Sequence, residues 1–447
     1  MNMNKILILG AGLVSRPIVS HLLKDGYNVT VTNRDGNKAQ SLIGDYPNGK
    51  AVAFSIENEE LLKTLVSEND LVVSLLPYKY HLQVAKKCIE MHKNMITTSY
   101  LKPEMKALDE DAKKSGIIIL NETGLDPGID HMSAKRIIDN IHQKGGKIEA
   151  FYSVCGALPA PENADNPFKY KFTWSPKGVI MAGNNDAKYL YNGKTVYIPN
   201  ETLFRNPVKY YFPKVGDMEV YPNRDSLSYI DLYGIPEVKT MYRGTFRYPG
   251  WCEIMDGFKK LNLISYDTYD FTGLTYPQML VKITNGKDVK DVKQYISNYL
   301  NVNPTSLVIK ALEWLGFFDA INMGRSTDSP FEITSDLMIS KMGIGNHERD
   351  VVAMLHIFVA KYENGQKEVI HSKLLDFGSP ATDTAIAKTV ALPAAIASKM
   401  IMTGKINLKG VYIPVLPEIY NPILDELEQT GIKFDEKYGL NLSDVLF

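Results

Sequence analysis

The stretch KILILGAGLVSRP, Lys5–Pro17, decides the fold. Four apolar residues, Ile6–Leu9, run into Gly10-Ala11-Gly12-Leu13-Val14-Ser15, and helical spacing begins at Val14 and continues to Leu23. A strand that turns through two glycines into a helix is the context a dinucleotide-binding loop requires. Gly10 allows the tight turn, and Gly12 lets backbone approach a pyrophosphate lodged at the helix N-terminus. Ser15 takes the third small position, where Gly or Ala is usual, and is still small enough for close helix–strand packing.

Outward from this stretch the same alternation repeats. Asn28–Thr32, Val52–Ile56, Leu71–Leu76, Met95–Thr98 and Ile117–Leu120 are short β-rich or apolar runs, separated by charged helical segments such as His81–Lys93 and Glu104–Lys114. Continuous apolar strands between helices are what a parallel sheet covered on both faces needs. The first ~125 residues therefore read as a doubly wound α/β domain of ordinary size.

Beyond Asp130 the pattern changes. Lys147–Val154 reads as a strand, and Gly156–Tyr248 is rich in Pro, Asn, Gly and Tyr with short β-like runs such as Lys194–Ile198. Tyr266 to about Lys341 turns helical, with Val289–Leu300 and Leu307–Leu315 as candidates. Val351–Tyr362 and Lys367–Lys373 flank Glu363–Gln366, whose Asn-Gly pair signals a hairpin. Thr382–Met402 and Asn421–Thr430 are the last helices. The expected fold is a Rossmann-type parallel sheet, a mixed-sheet α+β domain and a small helical domain.

With 447 residues and a formal net charge of -1, the chain has room for two or three domains and no global field to attract nucleic acid or an anionic membrane. Cys88, Cys155 and Cys252 form no CxxC pair, which fits a reducing, cytoplasmic setting and offers no zinc knuckle. The opening residues are too briefly apolar for a secretory signal, and no run approaches the ~18 apolar residues of a membrane span. The group His347-Glu348-Arg349-Asp350 lacks a second histidine at helical spacing and reads as a solvated loop or salt-bridge group, so no metal is expected.

The end of the second strand reports on the cofactor. Asn33 stands where an acidic residue would take the ribose hydroxyls of NAD, and Arg34 follows with a guanidinium suited to a phosphate. NADP is favoured; NAD remains the alternative, with Asp35 as its ribose ligand. Three further segments fall at expected strand ends: Leu75–Tyr78, Thr98–Tyr100 and Leu125–His131. Ligands of open α/β sheets bind beyond such ends.

The blocks SLLPYKYH, TTSYLKPEM, NETGLDPGIDHMSAK, VCGALPAPENADNPFKYKFTWSPKGV, YPNRDS and RGTFRYPGW resemble the saccharopine dehydrogenase family, glutamate-forming kind. The likeness is dense to about Gly250 and looser through EWLGFF, KMGIGNHERD and AKTVALPAAIASKMI. It implies interconversion of saccharopine with glutamate and 2-aminoadipate 6-semialdehyde. It also implies a homodimer, and a dinucleotide domain of residues 1–127 completed by about 400–447. A substrate-binding and dimerisation domain would span 128–265 and 345–400, with the helical domain at 266–344. Beside Gly10, cofactor contacts would fall on Ala11, Gly12, Leu13, Val14, Asn33, Arg34, Asp35, Ser55, Ile56, Leu76, Thr98, Ser99, Leu125, Asp126, Pro127 and Ser175. Substrate contacts would fall on Ser99, Tyr100, Asp126, Arg224, Thr245, Phe246 and Arg247, with Arg243 in reserve.

Saccharopine carries three carboxylates, which call for two-point contacts from arginine. Forming and collapsing the carbinolamine needs proton relay, for which Tyr100, Asp126 and Cys155 are the candidates. His131 reads as a structural histidine beside a helix start, and Tyr170 and Trp174 as pocket wall or core. Two other readings compete. A relative acting on carboxynorspermidine- or homospermidine-type substrates would want an acidic pocket in place of these arginines. A cofactor-binding redox sensor without turnover would have no use for a triply anionic guest.

Overall fold

The computed structural model describes residues 4–380 and 383–447. The chain divides into two compact units, Met1–Gly146 with Leu374–Gly378 and Thr382–Asp435, and Lys147–Lys373 with Ser379–Ala381 and Glu436–Phe447.

The first unit is built on seven strands, β1 (Lys5–Leu9), β2 (Asn28–Asn33), β3 (Gly49–Ala53), β4 (Leu71–Ser74), β5 (Asn94–Thr97), β6 (Ile118–Leu120) and, numbered along the whole chain, β17 (Gly410–Tyr412). All pair in parallel in the order β17-β6-β5-β4-β1-β2-β3. Period-two alternation sends Leu7 and Leu9 to one face, where they join Val72, Met95 and Ile119 under helices Glu59–Glu68, His81–Glu90 and Asp109–Ser115. The other face carries helices Arg16–Lys24 and Ala385–Met402, which pack on each other. The order reverses at β1, where β1 lies between β2 and β4, so the glycine turn after β1 sits at the topological switch point.

Local chemistry sets the helix starts. Pro17 opens Arg16–Lys24, Asp35 caps Gly36–Ile43 by accepting from the Asn37 N–H at 3.0 Å, and Asn58 caps Glu59–Glu68. Ala385–Met402 is the one described helix long and apolar enough to cross a membrane; most of its residues are buried inside the first unit. Thr382, where this helix was expected to start, lies outside the described residues.

The second unit holds most of a nine-stranded mixed sheet, and a two-stranded ribbon. Its strands are β7 (Lys147–Pro159), β8 (Ala187–Tyr191), β9 (Lys194–Ile198), β10 (Val208–Phe212), β11 (Gly216–Pro222), β12 (Thr240–Arg247), the ribbon pair β13 (Tyr269–Asp270) and β14 (Thr327–Asp328), then β15 (Asp350–Lys361), β16 (Lys367–Phe377) and β18 (Phe434–Leu440). The order is β10-β11-β12-β7-β15-β16-β18, with β8 on β12 and β9 on β8. β15 is buried from Asp350 to Ala360, as a strand covered on both faces must be. Gly365, at φ 81°, makes the expected β15–β16 turn.

The division differs from the expected boundaries at 127, 265 and 400. Helix Ile129–Gln143 stays with the first sheet because it packs on helix Pro417–Gln429, joined by Arg136–Asp425 and Asp139–Tyr420 contacts. Ala385–Met402 belongs there too, while Glu436–Phe447 falls in the second unit, where the Phe447 carbonyl accepts from the Tyr152 hydroxyl at 2.9 Å. The helices of 266–344 fall in that second unit as well.

Candidate functional site

In the first unit the glycine loop is held from inside. Gly10 sits at φ 112°, and a Cβ there would lie 3.0 Å from the Leu75 carbonyl, so the end of β4 leaves room only for glycine. A Cβ on Gly12 would meet no protein atom within 4 Å. Buried Ser15 ties the turn together: its hydroxyl donates to the Gly10 carbonyl and accepts from the Gly12 N–H, each at 3.0 Å. The substitution of the third glycine is thus a clasp rather than a defect. The N–H groups of Leu13 and Val14 have no partner among the described residues, and they precede the helix whose dipole favours an anion. These features fit a pyrophosphate.

At the end of β2, Asn33 donates to the Ala11 carbonyl at 3.3 Å and accepts from the Asp35 N–H at 3.0 Å. The Asp35 carboxylate is engaged in helix capping, which argues against it as the ribose ligand. Arg34 is exposed, with no hydrogen bond or ion pair among the described residues, although Glu57 feels its charge. Ser55 hydrogen-bonds Glu57. That contact, with Arg34 and Lys79 nearby, holds the Glu57 carboxyl below its usual range. Ile56 is buried, and Leu76, half-buried, packs on the same core.

At the ends of β4 and β5 lies a cluster that centres on His81. Its Nδ1 is 2.9 Å from the Ser74 hydroxyl, and its Nε2 is 2.8 Å from Ser99 Oγ and 3.1 Å from Thr97 Oγ1. Burial lowers its pKa from 6.5 to about 4, so the imidazole is neutral near neutral pH. Next to it, the Tyr100 hydroxyl donates to Asp126 Oδ1 at 2.9 Å. Leu125 and Pro127 are buried beside Asp126, and Thr98 is half-buried. Within this unit the structure therefore brings together Thr98, Ser99, Tyr100 and Asp126.

His131 is fully buried with its Nε2 2.6 Å from Glu122 Oε2, the structural role expected of it. The sequence reading passed over both Glu122 and His81. Each stands inside a quoted block, but neither carries a local pattern that marks it out.

In the second unit, β11, β12 and β7 set Tyr221, Thr245 and Cys155 side by side in register. Two residues on, Arg247 is 5 % exposed and lies against Tyr170, Trp251 and Tyr221, at 4.9, 5.2 and 5.9 Å from the ring centroids. Its Nη1 donates to the Phe246 carbonyl at 2.8 Å; its buried Nε has no partner, and no described carboxylate pairs with it. Such a charge is costly to bury, by several kcal/mol even after relaxation. Aromatic faces return part of this.

The remaining candidates differ in burial and in what they touch. The Phe246 side chain is wholly buried against Tyr210 and Phe212, which leaves a guest its backbone rather than its ring. Arg243, held in reserve, stacks 4.1 Å over Tyr229 and donates to its hydroxyl at 2.5 Å, a structural engagement. Arg224 is exposed at φ 53°, and Ser175 is exposed at the start of helix Pro176–Ala182. Tyr170 is core, as its default predicts, whereas Trp174 is 37 % exposed. Glu348 pairs with Lys171 and Arg349 with Glu162, and no group of metal-ligating side chains occurs among the described residues.

Residues 6–120 match the family model described as the saccharopine dehydrogenase NADP binding domain, and residues 124–432 match the saccharopine dehydrogenase C-terminal domain. The chain is 38% identical over 450 residues to the mitochondrial alpha-aminoadipic semialdehyde synthase of Mus musculus, covering 98% of this chain and 48% of that protein. It thus spans about half the length of that relative. It is 35% identical over 449 residues to the saccharopine dehydrogenase (NADP+, L-glutamate-forming) of Schizosaccharomyces pombe, covering 97% of this chain and 99% of that one. The apo saccharopine dehydrogenase (L-Glu forming) structure from Saccharomyces cerevisiae superposes with a TM-score of 0.89 at 33% identity, over 97% of this chain and 99% of that chain. A glycine loop clasped by Ser15, an arginine at the end of β2 and two family models that together run from Ile6 to Ile432 lead to one conclusion: the chain belongs to the saccharopine dehydrogenase family.

Proposed function

We propose that this protein is an NADP-dependent oxidoreductase that acts on the CH–NH bond of saccharopine and interconverts it with L-glutamate and 2-aminoadipate 6-semialdehyde in lysine metabolism. The observation that carries the reading is Arg247, a buried cation with aromatic walls and no carboxylate of its own. A carboxylate-bearing guest supplies the missing anion and two-point geometry. Arg224, exposed on the same unit, is the second candidate for a guest with three carboxylates.

The nicotinamide cofactor, when bound, supplies and accepts the hydride. The chain's own residues do the rest. Gly10, Gly12 and the Leu13 and Val14 amides receive the pyrophosphate, and Arg34 takes the phosphate that distinguishes NADP from NAD. The Asn33 amide fixes the loop against β2. Tyr100 and Asp126 form the proton relay: the phenol passes a proton between the leaving oxygen or nitrogen of the carbinolamine and the Asp126 carboxylate, to which its hydroxyl donates. Cys155 and Thr245, neighbours across β7 and β12, line the substrate side.

A homodimer and a cytoplasmic setting complete the proposal. Three cysteines that form no disulfide support a reducing compartment. The polyamine-type alternative is disfavoured, because its substrates carry fewer carboxylates and more amines, which call for acidic side chains where this chain has Arg224 and Arg247. The test is NADPH oxidation by the purified protein. Turnover requires glutamate and the semialdehyde together; turnover with diaminopropane in place of glutamate, or NADPH binding without any turnover, refutes the reading.

A further inference from the structure

We propose that Glu122 and His131 are positioning residues that hold the Tyr100 hydroxyl against Asp126. This inference rests on the functional reading above. Glu122 is 6 % exposed and His131 0 % exposed, so both are sealed from water. One carboxylate oxygen of Glu122 accepts from the Leu101 N–H at 2.7 Å, and the other lies 2.6 Å from His131 Nε2. The Glu122 N–H donates to the Ser99 carbonyl at 3.1 Å. Tyr100 is therefore gripped through the backbone on both sides, at Ser99 and at Leu101.

His131 carries the other half of the arrangement. It lies in the first turn of helix Ile129–Gln143, which follows directly on Asp126-Pro127-Gly128. That loop is closed on itself: the Gly124 N–H donates to the Pro127 carbonyl at 3.0 Å, and the Ile129 N–H to the Gly124 carbonyl at 2.8 Å. A Cβ on Gly128 would stand 2.1 Å from the Gly124 oxygen, so backbone packs on backbone. Asp130 accepts from the Gly128 N–H at 2.6 Å and lies 4.0 Å from His131 Nε2. The Glu122–His131 contact thus joins the segment that bears Tyr100 to the segment that bears Asp126.

Two features favour positioning over simple stability. A buried acid–base pair is seldom a net gain over apolar packing. Glu122 also holds φ at 57°, a left-handed conformation that its side chain disfavours, and strain of this sort persists where the surroundings over-determine the backbone.

The experiment is a double-mutant cycle in the full chain between Glu122→Gln and Tyr100→Phe, read as kcat and KM for saccharopine together with the NADPH dissociation constant. Glu122→Gln is expected to lower kcat about 10–100-fold with NADPH affinity unchanged. In the Tyr100→Phe background the same change is expected to cost less than about threefold, because its effect passes through the phenol. His131→Gln, which keeps a donor for Glu122, is expected to stay within about threefold of wild type, and His131→Leu to resemble Glu122→Gln. Multiplicative losses in the cycle, an equal fall in NADPH affinity, or unfolding of both Glu122→Gln and His131→Gln overturns the inference in favour of a purely structural pair. Wild-type protein that does not turn over saccharopine at all is a separate result, which removes the functional reading first.

Discussion

The Tyr100 hydroxyl donates to Asp126 Oδ1 across 2.9 Å, joining the loop after β5 to the loop that opens helix Ile129–Gln143. A phenol on a carboxylate has one proton and two places to put it, which is the minimum a relay requires. Tyr100→Phe removes that proton and leaves the ring. Its kcat is expected to fall about 10²–10⁴-fold with NADPH affinity unaltered. A loss below threefold in steady-state assays would dismiss Tyr100 as the relay.

Arg247→Met replaces an unpaired buried cation with an apolar chain of similar length. KM for saccharopine is expected to rise about 10–100-fold, the worth of one charged two-point contact. Thermal stability is expected to hold or improve, because an uncompensated charge leaves the interior. A variant that loses stability while KM is unchanged would show that Arg247 serves the fold.

Arg34→Asp exchanges the exposed cation at the end of β2 for an anion. The ratio of NADP to NAD specificity is expected to fall by at least ~10², and Tm is expected to stay put, since Arg34 holds no partner in the described fold. Comparing kcat/KM for the two cofactors decides it; an unchanged ratio removes Arg34 from the phosphate site.

His81 supplies a pH dependence. Its folded pKa, about 4, lies below the 6.5 of an exposed histidine. Between these values the unfolded chain binds a proton that the folded chain refuses, so stability falls as pH drops through that window, by ~3 kcal/mol in full. His81→Asn is expected to flatten the slope. Burial also lowers His21 and His371, but they are common to both proteins. Denaturant unfolding at a series of pH values checks this, and identical slopes in the two proteins would contradict it.

The first sheet was legible because a strand buried on both faces has little choice but an unbroken apolar run, as Leu71–Ser74 shows. The run Val52–Ile56 misled by a few residues: the strand is Gly49–Ala53, and Phe54 and Ile56 are buried because they pack as loop on the core beside helix Glu59–Glu68. The segment expected as helix Glu104–Lys114 is two short helices, broken at Ala107-Leu108. Helix Pro417–Gln429 began earlier than its pattern suggested, with Pro422 masking the first turn. Between Gly156 and Tyr248, β10 and β11 are half-buried while β12 is buried nearly throughout and carries Arg243, Gly244 and Arg247 among its apolar residues, so the stretch shows only a general mixed-sheet character. Helix Trp251–Lys260 was missed after the Pro-Gly pair that precedes it.

The candidate site was legible in its polar residues and opaque in its supports. Arginines, glycines and the Tyr-Asp pair stand out by residue type. Ser15, His81 and Glu122 act through contacts that only the folded chain creates, such as the Ser15 clasp on Gly10 and Gly12. Phe246 shows the converse: it sits between two site candidates in sequence, yet strand alternation turns it into the core.

Saccharopine and NADP+ given to the purified protein, with products counted, test the central claim most directly. The account predicts one glutamate and one semialdehyde released for each NADPH formed. Release of lysine and 2-oxoglutarate instead, or NADPH formation that does not depend on saccharopine, would contradict it.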